Sequence, residues 1–262
     1  MTIAAAGSGT VRPMFFGDPA AELFGCLHAA ADPVASALVV QPVLHEYMGS
    51  HRTLVQLAAR LAAGGISALR FDARGTGDSA GDSGGSGPDD WQLDVTTAAA
   101  ELLRQAGQGH PSIAGLRLGA SLALLRQCGP GASPAPALVL WDPVVSGKTW
   151  VDELLALQRE RFGEEVEGEV LGFPFAPPLR QQLDAIDLRA VGRPAVRRVL
   201  VVQTSGSVAA EIDALVERLQ AVGTAVDRRT FDTPPFWRDP GKTFVPRAVI
   251  DAIVSWMKGA QA

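Results

Sequence analysis

The segment Gly115-Leu116-Arg117-Leu118-Gly119 carries the spacing from which chemistry would be expected. It follows the apolar pair Ile113-Ala114 and leads into an apolar helix over 122–127, so it reads as a buried strand turning into a helix. Glycines four residues apart around such a turn let one side chain rise above a sheet, which is how an acyl-transfer nucleophile is presented. The raised residue is Arg117. A guanidinium stays protonated at any working pH and cannot attack a carbonyl. Two readings of Arg117 stay open. Beside a helix amino terminus it would hold a carboxylate or phosphate; alternatively it pairs inside the protein with Asp142 or Asp72. An uncompensated buried guanidinium costs several kcal/mol, so some acidic partner is expected.

Parallel strands deliver their carboxyl ends to one crevice. There the sequence gathers His45, Glu46, Asp72, Arg74, Arg117, Asp142 and Ser207. His45 with Asp142 or Glu46 would form a general base acting on water or substrate, and Arg117 would stabilise a developing oxyanion. The alternative is that His45 only bonds the turn of its own loop. Ser121, four residues beyond Arg117, would face the same region; without a base it reads as a packing serine. Asp72 and Arg74 would brace the Gly75–Gly77 turn through side-chain hydrogen bonds. Gly77-Asp78-Ser79-Ala80-Gly81 and Gly81-Asp82-Ser83-Gly84-Gly85 also match Gly-x-Ser-x-Gly. Both lie in a glycine-serine loop, not between a buried strand and a helix. His28 and His110 read as structural.

These residues require a scaffold of alternating elements. The pattern predicts a hairpin over 13–17 and 22–28 and a buried strand over 36–43. A loop over Leu44–Ser50 then leads into a helix over 51–63, whose Leu54, Leu57, Ala58 and Leu61 form one apolar stripe. A strand over 66–71, a flexible loop over 80–89, a helix over 90–106 and a strand over 137–141 follow. Residues 145–192 break the alternation, with amphipathic pieces over 149–161 and 179–188 around Gly172–Pro178. They read as a small lid with aromatics to line a pocket. Strand 198–203, helix 209–221, strand 225–231 and helix 246–257 close the chain. With the late strands all buried, this implies a mostly parallel sheet covered on both faces. The expected division is a core of 1–144 and 193–262 with a cap of 145–192.

The order strand, Phe71-Asp72-Ala73-Arg74-Gly75-Thr76-Gly77-Asp78-Ser79, helix, Gly115-x-x-x-Gly119, helix resembles the α/β-hydrolase superfamily. It is most similar to the serine-aminopeptidase-like branch and to hydrolases encoded beside exosortase and exopolysaccharide genes. Similar segments there include His45-Glu46-Tyr47-Met48-Gly49-Ser50-His51-Arg52 and Pro234-Pro235-Phe236-Trp237, which brings in Trp237. The resemblance spans nearly the whole chain and implies an α/β-hydrolase fold: a mostly parallel twisted sheet, helices on both faces and a helical lid. It would file the protein as an ester- or acyl-class hydrolase, with a role in exopolysaccharide metabolism. In that fold the order is nucleophile, acid, histidine. Here the loop Thr204-Ser205-Gly206-Ser207 holds no carboxylate, and all four histidines precede the elbow. The expected catalytic set is therefore His45, Asp142 and Arg117, and the expected ligand-binding set Glu46, Arg74, Arg117, Ser121, Ser207 and Trp237. A non-catalytic binding or partner protein is the competing reading.

The formal charge of -5, without a long basic run, argues against nucleic acid. An apolar fraction of 47% is that of a globular protein. Cys26 and Cys128 read as buried free thiols. Residues 1–10 lack the features of a signal peptide, and no window approaches the ~18 apolar residues of a membrane span. A cytoplasmic protein with a small, anionic ligand is expected, with no cofactor and no metal.

Overall fold

The computed structural model describes residues 3–4, 10–107, 109–164, 166–239, 241 and 244–260. Residues 1–10, read above as no signal peptide, therefore lie mostly outside the described residues. The chain runs β1 (Ile3–Ala4), β2 (Thr10–Phe16), β3 (Leu23–Ala29), β4 (Ala35–Val40), α1 (His45–Ala63), β5 (Ile66–Phe71), α2 (Pro88–Ala106), β6 (Ser112–Leu116) and α3 (Leu118–Cys128). It continues through β7 (Ala135–Trp141), α4 (Gly147–Phe162), β8 (Glu169–Val170), β9 (Phe173–Pro174), α5 (Pro177–Asp184), β10 (Val196–Gln203), α6 (Ala209–Ala221), β11 (Ala225–Thr230) and α7 (Arg247–Gly259).

One nine-stranded sheet has the order β1-β2-β3-β5-β4-β6-β7-β10-β11. The first three strands join antiparallel, and from β5 onward every pairing is parallel. The apolar runs of β4, β5 and β6 are buried at every position, because parallel strands are covered on both faces. Alternate residues then serve different layers. Leu38, Leu138 and Val201 pack with Trp91 and Leu102 of α2, Leu122 of α3 and Leu215 of α6. Val39, Val139 and Val202 pack with Leu54, Leu57 and Leu61 of α1 and Ile253 and Met257 of α7.

Three expectations change. α1 begins at His45, not at 51, so the supposed loop Leu44–Ser50 is mostly helix. Its entry is unusual: Leu44 adopts φ 56° and ψ -145° and turns the chain straight from the sheet into the helix. Gly49 lets that turn sit against residue 237, since a Cβ there would lie 2.7 Å from the Trp237 carbonyl oxygen. Nor are the late strands all buried. β11 is an edge strand with a largely exposed Ala-Val-Asp-Arg-Arg-Thr sequence, whose charges block further strand addition. The two thiols are free but only half-buried; burial raises both, Cys128 to about 11.

Between β7 and β10, α4, the β8–β9 pair and α5 interrupt the alternation. Trp150, Leu154, Leu179 and Leu183 join them to the same core as α2 and α3. Among the described residues no helix is long and apolar enough to cross a membrane.

Candidate functional site

Arg117 occupies the turn between β6 and α3 with φ 51° and ψ -127°. The two glycines around it are explained by close approach. A Cβ on Gly115 would lie 2.5 Å from the Ala120 Cα, and one on Gly119 would lie 2.4 Å from the Gln41 carbonyl oxygen. Leu44 and Asp142 also have positive φ, 56° and 43°. Non-glycine residues in this region carry strain of about 1–3 kcal/mol each. Here they follow β4, β6 and β7, whose carboxyl ends share one crevice.

The Arg117 guanidinium is buried and fully engaged. Its Nε donates to Glu46 Oε1 at 3.0 Å, one terminal nitrogen donates to Glu153 Oε2 at 3.3 Å, and the other reaches the Asp142 carbonyl at 3.5 Å. The Trp237 ring lies beneath it, with the guanidinium carbon 5.0 Å from the centroid. Trp150 Nε1 donates to the same Glu46 oxygen at 3.1 Å. Burial works against the arginine's charge, but Glu46, Glu153 and Asp142 outweigh it and hold the group above its ordinary range. The internal-pairing reading of Arg117 therefore has its acids, though with a correction: they are Glu46 and Glu153, not Asp142 or Asp72. The open space that Arg117 lines is about 20 Å³, room for roughly one water.

Asp142 turns its carboxylate the other way. Thr204 donates to it twice, from its backbone N–H and its hydroxyl, each at 2.7 Å. Burial raises the Asp142 carboxyl, while Thr204, Arg117 and Ser207 oppose that rise. Ser207 Oγ donates to the Thr204 carbonyl at 3.0 Å, bracing the same turn. Ser121 Oγ donates to the Val144 carbonyl at 2.7 Å, the packing role expected of a serine without a base.

His45 is buried beside Glu46, and neither ring nitrogen has a hydrogen-bond partner among the described residues. Neither expected pairing, His45–Asp142 nor His45–Glu46, is formed. Burial lowers the imidazole pKa; Glu46 resists this, while Arg161, Arg117 and Arg238 add to it, so the ring is neutral at pH 7. Arg74 is elsewhere. Its guanidinium meets Asp94 at 2.7 Å and Asp90 at 3.2 Å, both on α2, and takes no part in the Arg117 cluster. Asp72 braces the neighbouring turn as expected, accepting from Gln41, Tyr47 and the Asp78 N–H. Among the described residues no group of three or more His, Cys, Asp or Glu side chains could hold a metal ion.

The crevice thus unites Glu46, Arg117, Trp237 and, on its flank, Asp142, Ser121 and Ser207. Sequence reasoning missed Glu153, Trp150 and Thr204. Glu153 and Trp150 face the elbow only because α4 folds back over it. Thr204 sat in the loop searched for a carboxylate, and it serves Asp142, the acid at the end of the neighbouring strand β7, instead.

The chain has the α/β-hydrolase fold. No protein-family profile matches the sequence, and no curated protein sequence matches it. Solved structures match across nearly the whole chain. A thermostable carboxyl esterase of Bacillus coagulans in complex with glycerol has a TM-score of 0.69 at 15% identity, covering 98% of this chain and 100% of that one. An esterase of Pyrococcus furiosus gives 0.66 at 14% identity, with 96% and 91% covered. An esterase of Butyrivibrio proteoclasticus with ferulic acid bound gives 0.66 at 14% identity, with 94% and 98% covered.

Proposed function

We propose that this protein is a non-catalytic relative of the α/β-hydrolases, one that has lost the serine triad and holds a small acyl- or ester-bearing molecule or a partner. The observation that carries this reading is the closure of the elbow. The position of the attacking group is filled by Arg117, neutralised by Glu46 and Glu153 and stacked on Trp237, with about 20 Å³ of space beside it. An anionic ligand would have to displace one of those acids from Arg117, so a neutral ligand fits better than an acidic one. The acyl class is suggested by the esterases that share the fold. The resemblance to exosortase-associated hydrolases supports a place in exopolysaccharide metabolism, with residues 145–192 acting as the cap.

One observation favours a catalytic alternative. The buried His45 ring, with two unpartnered nitrogens and a pKa lowered by burial, has the protonation state of a general base. Asp142 is engaged by Thr204 and does not orient it. Hydrolysis of p-nitrophenyl acetate and labelling by a fluorophosphonate decide the matter. The proposal expects no turnover above buffer and no label. Robust turnover abolished by the serine reagent would overturn it, and turnover lost specifically in His45→Ala would establish the alternative.

A further inference from the structure

A cavity of about 150 Å³ lies at the opposite end of β6 from Arg117. It opens between α2, the last turn of α3 and the amino ends of β6 and β7, with apolar walls from Val95, Ala99, Leu103, Ile113 and Pro134. Thr96, Ala99, Ala100 and Leu103 share one face of α2, where short side chains leave a hollow. The far wall is fixed from α3. The Gln127 amide donates to the Ser133 and Ala195 carbonyls at 3.1 and 3.0 Å, and Arg126 donates to the Pro130 and Gly131 carbonyls, each at 3.1 Å. A void of about 150 Å³ with aliphatic walls takes one ring the size of benzene.

Arg126 brings a charge to this cavity. Its Nε donates to Thr96 Oγ1 at 2.6 Å, so the guanidinium lies between α2 and the 130–131 turn. All three acceptors are neutral, and Arg126 has no ion pair among the described residues. These bonds use three of its five N–H groups, which leaves two to donate. Asp90, Asp94 and Glu101 of α2 are taken by Arg74 and Arg104, so none of them answers Arg126. His110, exposed just before β6, adds another nitrogen donor to the lining. The contrast with Arg117 is plain: that guanidinium is neutralised by two acids, this one by none.

We propose that this cavity binds a small aromatic carboxylate, its ring among Val95, Ala99, Leu103 and Ile113 and its carboxylate on Arg126. A flat apolar body carrying one anionic group meets both the hollow and the unmatched guanidinium. The inference goes beyond the role proposed for the elbow and does not rest on it. The competing explanation is that Arg126 serves only to brace the end of α3 against the 130–131 turn.

The test is a titration of the full-length protein, carbon-13 labelled in its isoleucine methyls, by benzoate and by benzamide at pH 8 and low salt. Ile113→Val identifies the Ile113 methyl resonance. Benzoate is expected to move that resonance in a saturable way, and benzamide, of the same shape without the charge, to bind about tenfold or more weakly. Acetate, an anion without a ring, should compete with benzoate about tenfold or more weakly than benzoate itself binds. Arg126→Gln should weaken benzoate about tenfold and leave benzamide unchanged. Ala100→Trp, at an exposed position on the rim, should abolish both without lowering the melting temperature. No saturable movement of the Ile113 resonance would overturn the proposal, as would unchanged benzoate binding in Ala100→Trp. Equal binding of benzoate and benzamide, the result expected if Arg126 is a brace alone, would overturn it too. Should Arg126→Gln not fold, the preference for benzoate in the unaltered protein decides instead: it should shrink at high salt, and a preference indifferent to salt refutes the role of Arg126. Turnover of p-nitrophenyl acetate would count against the non-catalytic reading of the elbow and not against this cavity.

Discussion

Arg117 and Glu46 meet across 71 residues of sequence, Nε to Oε1 at 3.0 Å, with both side chains more than nine-tenths buried. The contact joins the turn after β6 to the first turn of α1. It places a fixed ion pair where other proteins of this fold raise a nucleophile. Breaking one side of such a pair strands the other charge in a medium of low polarity. Replacing both sides by apolar groups of similar size does not.

Glu46→Gln should therefore destabilise the protein by about 3 kcal/mol, at the lower end of the range for a broken buried pair because Glu153 still faces Arg117. Arg117→Met combined with Glu46→Gln should recover most of that loss. Urea unfolding of the two single variants and the double variant measures the coupling. Strictly additive losses would mean that the pair is not energetically linked.

Arg117→Ser places a serine at the elbow, yet it should not create esterase activity. His45 has no hydrogen bond to the elbow, Asp142 is engaged by Thr204, and no histidine follows the last strand. We expect p-nitrophenyl acetate hydrolysis to stay at background and the melting temperature to fall, since Glu46 loses its main partner. A measurable burst of nitrophenol from this variant would mean that a base is within reach after all.

Gly49→Ala tests the seat of Trp237. In an ordinary helix interior this change stabilises by roughly 0.5–1 kcal/mol. Here the added Cβ would lie 2.7 Å from the Trp237 carbonyl oxygen and 3.0 Å from its Cα. Backbone cannot yield as a side-chain tip does, so the sign should reverse, with a loss of about 1–3 kcal/mol. Thermal unfolding with tryptophan emission as the probe would report both the loss and the loosening of Trp237. A stabilised variant would contradict the packing described.

His28 sets a pH dependence. Its Nε2 accepts from Arg70 Nε at 3.3 Å, which requires a neutral ring. Burial, with Arg70 second, lowers its pKa from 6.5 to about 4. The folded value lies below the unfolded one, so the unfolded chain takes up its proton first as pH falls. Stability from this group is whole above about 6.5 and declines from there towards about 4. His45 is shifted in the same direction, so His28→Gln should flatten the slope of unfolding free energy between pH 6.5 and 4 without abolishing it. An unchanged slope would exclude His28 as a source of the acid sensitivity.

How much of this was legible beforehand depended on the range of the interaction involved. Alternation of apolar strands with amphipathic helices is local and periodic, and it was enough to specify a mostly parallel sheet covered on both faces, while the α/β-hydrolase fold was implied by the resemblance that the Phe71–Ser79 and Gly115–Gly119 segments carry. The spacing Gly115-x-x-x-Gly119 announced the turn, because each glycine answers a close approach within that turn or to the adjoining strand end. The need of Arg117 for an acid also followed from charge and burial alone. Which acid it took did not. Glu46 was read as a loop residue because His45–Ser50 carries no helical stripe of its own. Those residues are helical because Leu44 accepts a positive φ and Gly49 packs on Trp237, both decided by tertiary contact.

The sequence by itself determined the fold and the absence of a nucleophile at the elbow, since residue type and short-range spacing govern both. Only the tertiary structure decided that Arg117 is closed by Glu46, Glu153 and Trp237, that Asp142 is bound by Thr204, and that a separate cavity lies beside Arg126. These pairings join segments from 36 to 120 residues apart. Their geometry depends on how α1, α4 and the loop after β11 pack over the sheet, and residue spacing carries no record of that.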